Sequence, residues 1–142
     1  MATHKTFKSF SKAIFKASDD FVEYSSEVTR KASMAALSAA VRSTPVDKGV
    51  ARSGWYTTLH EPVGKTVTEV EPVQAQETIN KGVAVIETFK NEGSIYIAND
   101  ISYIGYLNDG SSRQAPNGMT AFALSAARNV IKSSKMSRVQ GR

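Results

Sequence analysis

A chain of 142 residues with 41% apolar content suits one domain with one core, and fits neither a disordered chain nor a membrane protein. The absence of cysteine excludes disulfides, thiolate zinc sites and cysteine nucleophiles, and it fits a reducing cytoplasm. The net charge of +5 is unevenly placed: residues 1–16 carry Lys5, Lys8, Lys12 and Lys16, residues 128–142 carry Arg128, Lys132, Lys135, Arg138 and Arg142, and all 13 acids lie between them. Such basic ends can meet nucleic acid or an acidic partner, or can simply be solvated.

Residues 6–43 read as one long helix, or as two with a break where Ser18-Asp19-Asp20 could cap a new start. Phe7, Phe10, Ile14, Ala17, Phe21, Tyr24 and Val28 step alternately by three and four residues, which is a heptad seam on one face. The lysines follow a different face. After Val28 the pattern becomes rich in alanine, which favours helix and lets another element approach closely. Unbroken, this helix spans about 55 Å, against roughly 30 Å for a domain of this size. Part of it therefore folds back or projects. A projecting segment with Phe7, Phe10 and Ile14 on one face needs another protein surface to cover it, and this is the first sign of oligomerisation. An intramolecular core suits Phe21 to Val41 better.

Pro45 stops the helix, because the residue before a proline is pushed out of the α region. Asp47 and Gly49 read as turn residues, and Trp55 opens a strand pattern, Trp55 to Leu59. A turn at 61–64 and alternation over Thr66 to Val70 predict a hairpin with that strand. Within 73–90, helical spacing sets in at Ile79, although Gly82 weakens it. Asn91-Glu92-Gly93 is a turn, and Ser94 to Asn99 a strand with Ile95 and Ile97 on one face. Tyr103 to Leu107 reads as a short helix, 108–118 as a long polar loop and Met119 to Ile131 as a last helix. The expected architecture is α+β: a long N-terminal helix, a small, mostly antiparallel β-sheet and two further helices packed on one face. The chain is expected to be a single domain over 1–142, with the long helix at 1–43, an α+β body at 44–131 and a basic tail at 132–142. Neither a signal peptide nor a spanning helix is expected.

No catalytic constellation emerges. His4 and His60 lack metal-ligand spacing with carboxylates, and Asp19, Asp20, Glu23 and Glu27 read as a solvated helix face. Asp109 to Arg113 lacks the spacing of a phosphate loop, and Ser53 and Ser111 have no base nearby in sequence. The expectation is therefore a non-enzyme with no cofactor and no metal. No helix-turn-helix or RNA-binding signature is present, so any DNA contact would be sequence-independent, salt-sensitive and made to phosphates.

Two stretches carry a resemblance. Thr44-Pro45-Val46-Asp47-Lys48-Gly49-Val50-Ala51-Arg52-Ser53-Gly54-Trp55 resembles the hallmark segment that, in tail-completion (neck) proteins of long-tailed bacteriophages, follows an N-terminal helix and leads into a strand. Tyr103 to Met119 resembles that family's second hallmark, a tyrosine-bearing turn, an acidic residue, Gly, Ser/Thr, a proline-bearing loop and a final helix. The resemblance spans about residues 30–131; Lys48 stands where Thr is usual and Asp109 where Glu is more usual.

The resemblance implies a structural virion protein. Such proteins form a ring, commonly of six subunits, that completes the tail and joins it to the head connector, with the genome passing through. Carried over, Pro45, Asp47, Gly49, Arg52 and Trp55 hold the helix-to-strand hinge, with Asp47 and Arg52 as a possible pair. The candidate subunit or ring interface comprises Phe7, Phe10, Ile14, Asp109, Gly110, Ser111, Arg113 and Pro116. Lys5, Lys8, Lys12, Lys16, Lys132, Lys135, Arg138 and Arg142 are candidates to face DNA or an acidic partner. Implied partners are further copies of the chain, the head connector and tail-terminator or tail-tube proteins, with non-specific contact to genomic DNA and no membrane. The implied location is the virion neck or tail, assembled in the host cytoplasm. The alternative is a sequence-independent DNA-binding protein using its basic ends.

Overall fold

The computed structural model describes residues 6–134. Its elements are α1 (Phe7–Ser43), α2 (Val50–Ser53), β1 (Trp55–Thr58), α3 (Ala75–Ile86), β2 (Tyr96–Asn99), α4 (Ile104–Asn108) and α5 (Thr120–Ser133). The class is α+β, with the long helix, a two-stranded antiparallel sheet and helices packed against the long one.

The helix α1 runs 37 residues without a break, so Ser18-Asp19-Asp20 caps nothing. Its start is fixed instead by a capping box: Thr6 Oγ1 accepts from the Ser9 backbone N–H at 3.2 Å, while Ser9 Oγ faces the Thr6 backbone nitrogen at 3.3 Å. It ends where Pro45 requires, with Thr44 extended at φ −66°, ψ 127°.

The core gathers on the alanine-rich half of α1. Leu37 and Val41 meet Ile79 and Ile86 of α3, and Met34, Trp55, Val83, Ile95 and Ile97 pack around them. Each of the buried side chains Leu37, Val41, Ile79 and Ile86 contributes about 1.5–3 kcal/mol by leaving water. Gly82 sits where α3 crosses: a Cβ there would strike Leu37 Cδ2 and come within 2.7 Å of Thr57 Oγ1. The glycine that weakens the helical pattern is thus what lets α3 press onto α1 and β1. The helix also begins earlier than its spacing predicts, at Ala75.

The expected hairpin does not form. β1 pairs with β2, in the register Trp55↔Asn99, Tyr56↔Ala98, Thr57↔Ile97 and Thr58↔Tyr96. Residues 66–70 contribute one parallel bridge, Val67 to Ile101. The reason is patterning: Val67 and Val70 fall on opposite faces of an extended chain, whereas Ile95 and Ile97 share one face and supply a core side.

The last helix extends beyond Ile131, so Lys132 belongs to α5 and not to a tail. α5 lies along α1. Its N-terminal approach meets the chain just past α1, where Gln114 binds Val46, and Ile131 near its other end shares a groove with Phe21. The two helices are therefore antiparallel, and α5 stops short of the first turns of α1. Between Phe7 and Glu23 no residue is buried; Phe7 is 84% exposed, Phe15 70%, Phe21 58% and Ile14 52%. This part of α1 is called the arm below.

Candidate functional site

The two stretches that carry the resemblance meet in space. The hinge begins with Thr44, which is 2% exposed. Its hydroxyl donates to the Ala40 carbonyl at 2.6 Å and accepts from Trp55 Nε1 at 2.7 Å. Trp55 thereby satisfies its polar edge while its ring packs on the core. Pro45 is buried, and Gly49 takes the left-handed conformation, φ 82°, to start the single turn of α2.

Three side chains clamp this hinge, Gln114 and Asn99 from outside it and Ser53 from within. The Gln114 carboxamide accepts from the Val46 backbone N–H at 2.9 Å and donates to the Val46 carbonyl at 3.3 Å, as a neighbouring strand would. Ser53 does the same on the other side: its hydroxyl accepts from Val73 N at 2.9 Å and donates to the Val73 carbonyl at 3.3 Å. Asn99 Nδ2 donates to the Ala51 carbonyl at 2.7 Å. The sequence reading singled out none of these three as clamps. In the sequence Ser53 reads only as a hydroxyl without a base, and the partners of Gln114 and Asn99 lie far along the chain.

Asp47 and Arg52 do not pair. The ion pairs among the described residues are Lys31–Glu27 at 2.7 Å and Lys81–Glu77 at 3.3 Å, both within single helices. Asp47 is exposed and solvated, so pairing would gain little, while Arg52 is half-buried with its Nε left without a partner.

The 108–118 loop has a fixed floor and an open rim. Asn108 Oδ1 accepts from Met119 N at 3.0 Å, Thr120 N at 2.9 Å and Thr120 Oγ1 at 2.8 Å, which caps α5 from outside the helix. Ala115 and Met119 are buried at 1% and 0% exposure. Gly110, at φ 88°, lies so close to the Pro116 carbonyl that no Cβ fits. Asp109, Ser111, Arg113 and Pro116 stay exposed, and Gly110 is half-buried. The loop and hinge together enclose a cleft of about 300 Å³, bordered by Val46, Lys48, Tyr103, Leu107, Ser112 and Gln114.

The remaining interface residues, Phe7, Phe10 and Ile14, lie apart on the arm and are exposed. Lys8, Lys12, Lys16 and Lys132 are exposed too, and the end of α5 brings Lys132 toward the part of α1 from which the arm departs. Lys5, Lys135, Arg138 and Arg142, like His4, lie outside the described residues.

Tyr56 hydroxyl donates to Asp100 Oδ2 at 2.7 Å. That hydrogen bond, with burial and the carboxylate charge adding to it, pushes the phenol up to about 12. Lys31 holds the exposed Glu27 carboxyl below its usual range by hydrogen bond and charge. Among the described residues no group of three or more His, Asp or Glu is placed to hold a metal ion, and no helix is long and apolar enough to cross a membrane. No protein-family profile, curated protein or solved structure matches this chain.

Proposed function

We propose that this chain is a structural virion protein of a phage neck, a non-enzyme that forms a ring at the tail tip, completes the tail and joins it to the head connector, with the genome passing through. The observation that carries the reading is the junction of the two hallmark-like stretches. Residues 44–55 and 103–119, far apart in sequence, are tied by the Gln114–Val46 pair of hydrogen bonds into one cleft with an exposed rim. Joining proteins need a rigid body with an outward rim and a means of associating with copies. The clamped hinge, the floored loop and the apolar arm fit those needs. Six copies is the ring size the resemblance implies; connector and tail-terminator or tail-tube proteins are the partners, and the virion neck is the location, reached from the host cytoplasm.

Tails assembled without this protein are expected to fail to join filled heads, and added pure protein is expected to restore joining and to show as a ring by electron microscopy. A chain that stays monomeric even with tails and connectors present would overturn the reading.

A second reading, sequence-independent DNA binding, draws on the exposed Lys8, Lys12, Lys16 and Lys132. It predicts DNA retention that weakens with salt and disappears when those lysines, with Lys5, Lys135, Arg138 and Arg142, are neutralised. No retention by the unaltered chain at low salt removes it.

A further inference from the structure

An apolar groove of the body opens at the root of the arm. It encloses about 550 Å³ between α1, β2 and α5, with Phe21, Tyr24, Val28, Ile95, Ile97 and Ile131 on its walls. Phe21, Tyr24 and Val28 belong to the same heptad seam as Phe7, Phe10 and Ile14. One apolar stripe therefore leaves the groove and continues along the arm, where Phe7 and Ile14 stay exposed among the described residues. We propose that the groove receives the arm of a second copy of this chain, laid antiparallel along α1. The proposal rests on the homo-oligomeric part of the neck reading, as a closed pair of copies that a ring would join through other contacts, and not on its virion setting.

Three observations choose this occupant. The first is charge. Lys8, Lys12 and Lys16 stand on the arm with no acid among residues 6–18, and Asp19, Asp20, Glu23 and Glu27 follow with no base until Arg30. Two such helices side by side in parallel would place lysines against lysines and acids against acids. Antiparallel, each lysine run lies beside the other copy's acidic run. Arg128 and Lys132, exposed on α5, share the sign of the arm's lysines and turn that lysine side away from α5, toward those acids.

The second is length. The α1 wall of the groove runs from Phe21 to Ala36, about 22 Å at helical rise, and the lysine-bearing part of the arm, Phe7 to Ala17, is about 15 Å and fits within it. The third is area. Covering the exposed parts of Phe7, Ile14 and Phe21 on both copies, with the walls they meet, removes on the order of 1,200 Å² from water, enough for a stable contact. The chain's own residues 135–142 offer only Met136 and Val139 as large apolar side chains, too few to fill the groove. An anionic lipid surface would attract the lysines but repel the acidic run that continues the same helix.

The test is sedimentation of the full chain alone, across concentration and salt. The unaltered chain is expected to associate more weakly as salt rises. Phe7→Ser with Ile14→Ser should weaken association roughly a hundredfold with an unchanged melting temperature, since both side chains are exposed in the single copy. Lys8→Glu, Lys12→Glu and Lys16→Glu together should weaken it about tenfold. Adding Asp19→Lys, Asp20→Lys and Glu23→Lys should restore it. A monomer at every concentration overturns the proposal, as does unchanged association of the serine variant. Recruitment of a monomer to phosphatidylserine vesicles, lost in the serine variant, overturns it in favour of a lipid surface. Failure of the charge rescue overturns the antiparallel arrangement. A chain that associates through the arm yet does not restore head joining leaves this contact standing and removes the neck reading. Joining restored by the serine variant does the reverse.

Discussion

The two halves of α1 share one helix and one apolar seam but have opposite surroundings. From Tyr24 to Ser43 the helix is covered, with Ala32, Leu37, Ala40 and Val41 at 6% exposure or less. From Phe7 to Glu23 it is open, although its apolar residues are larger. Small side chains let α3 and α5 approach the second half, whereas α5 stops short of the first. A seam thus states that a face is to be covered. The size of its residues states how closely, and the length of the packing elements decides whether the cover comes from the same chain.

Substitutions can break this contrast or sharpen it. Leu37→Ala, in the covered half, is expected to destabilise the fold by about 2–5 kcal/mol in chemical denaturation. A small effect there would mean that the core is not where the packing puts it. Gly49→Val forces a β-branched residue into φ 82° with its Cβ 3.3 Å from Pro72 Cβ, and should cost about 1–3 kcal/mol and impair assembly with it. Arg113→Glu on the loop rim should impair assembly while the monomer melts normally. Gln114→Ala removes both bonds to Val46, and a loss of about 1–2 kcal/mol is expected.

The next effect is confined to high pH. The folded phenol of Tyr56 is raised to about 12 from an ordinary value of 10.0, so the stability it contributes is full below pH 10 and is lost as pH rises toward 12. Tyr56→Phe should flatten that part of the stability profile, and an unchanged profile would deny the bond to Asp100 its role. The smallest effect on folding belongs to the arm: Phe7→Ala should change stability by less than about 0.5 kcal/mol. A larger loss in the isolated monomer would erase the distinction between the two halves.

Local chemistry was legible where a single residue type forces a result. Pro45 ended α1, Gly49 turned left-handed, and the alternation at Ile95 and Ile97 announced β2. The hairpin expectation failed because strand pairing is decided by which face is buried, and Val67 and Val70 share none. The Asp47–Arg52 expectation failed because five residues of separation do not fix direction across a left-handed turn.

The candidate site divides the same way. Its members at 44–55 and 103–119 were recognisable as stretches, and the exposed rim residues of the loop lie where a polar loop puts them. Their junction was not legible. Gln114 and Val46 are 68 residues apart, and Asn108 caps a helix that begins 12 residues later. No local preference selects such partners.

The sequence by itself determined a long amphipathic helix stopped at Pro45, the presence of β1, α3, β2, α4 and α5 in that order after it, and the segregation of lysines from acids along the arm, because these follow from periodicity, proline geometry and composition. Tertiary structure alone decided that β1 pairs with β2, that Gly82 is a crossing point and that residues 44–55 and 103–119 form one cleft. It also decided that the seam emerges from a groove onto an uncovered arm. Those outcomes depend on how far each element reaches and what it meets there, and a hydrophobic pattern specifies neither.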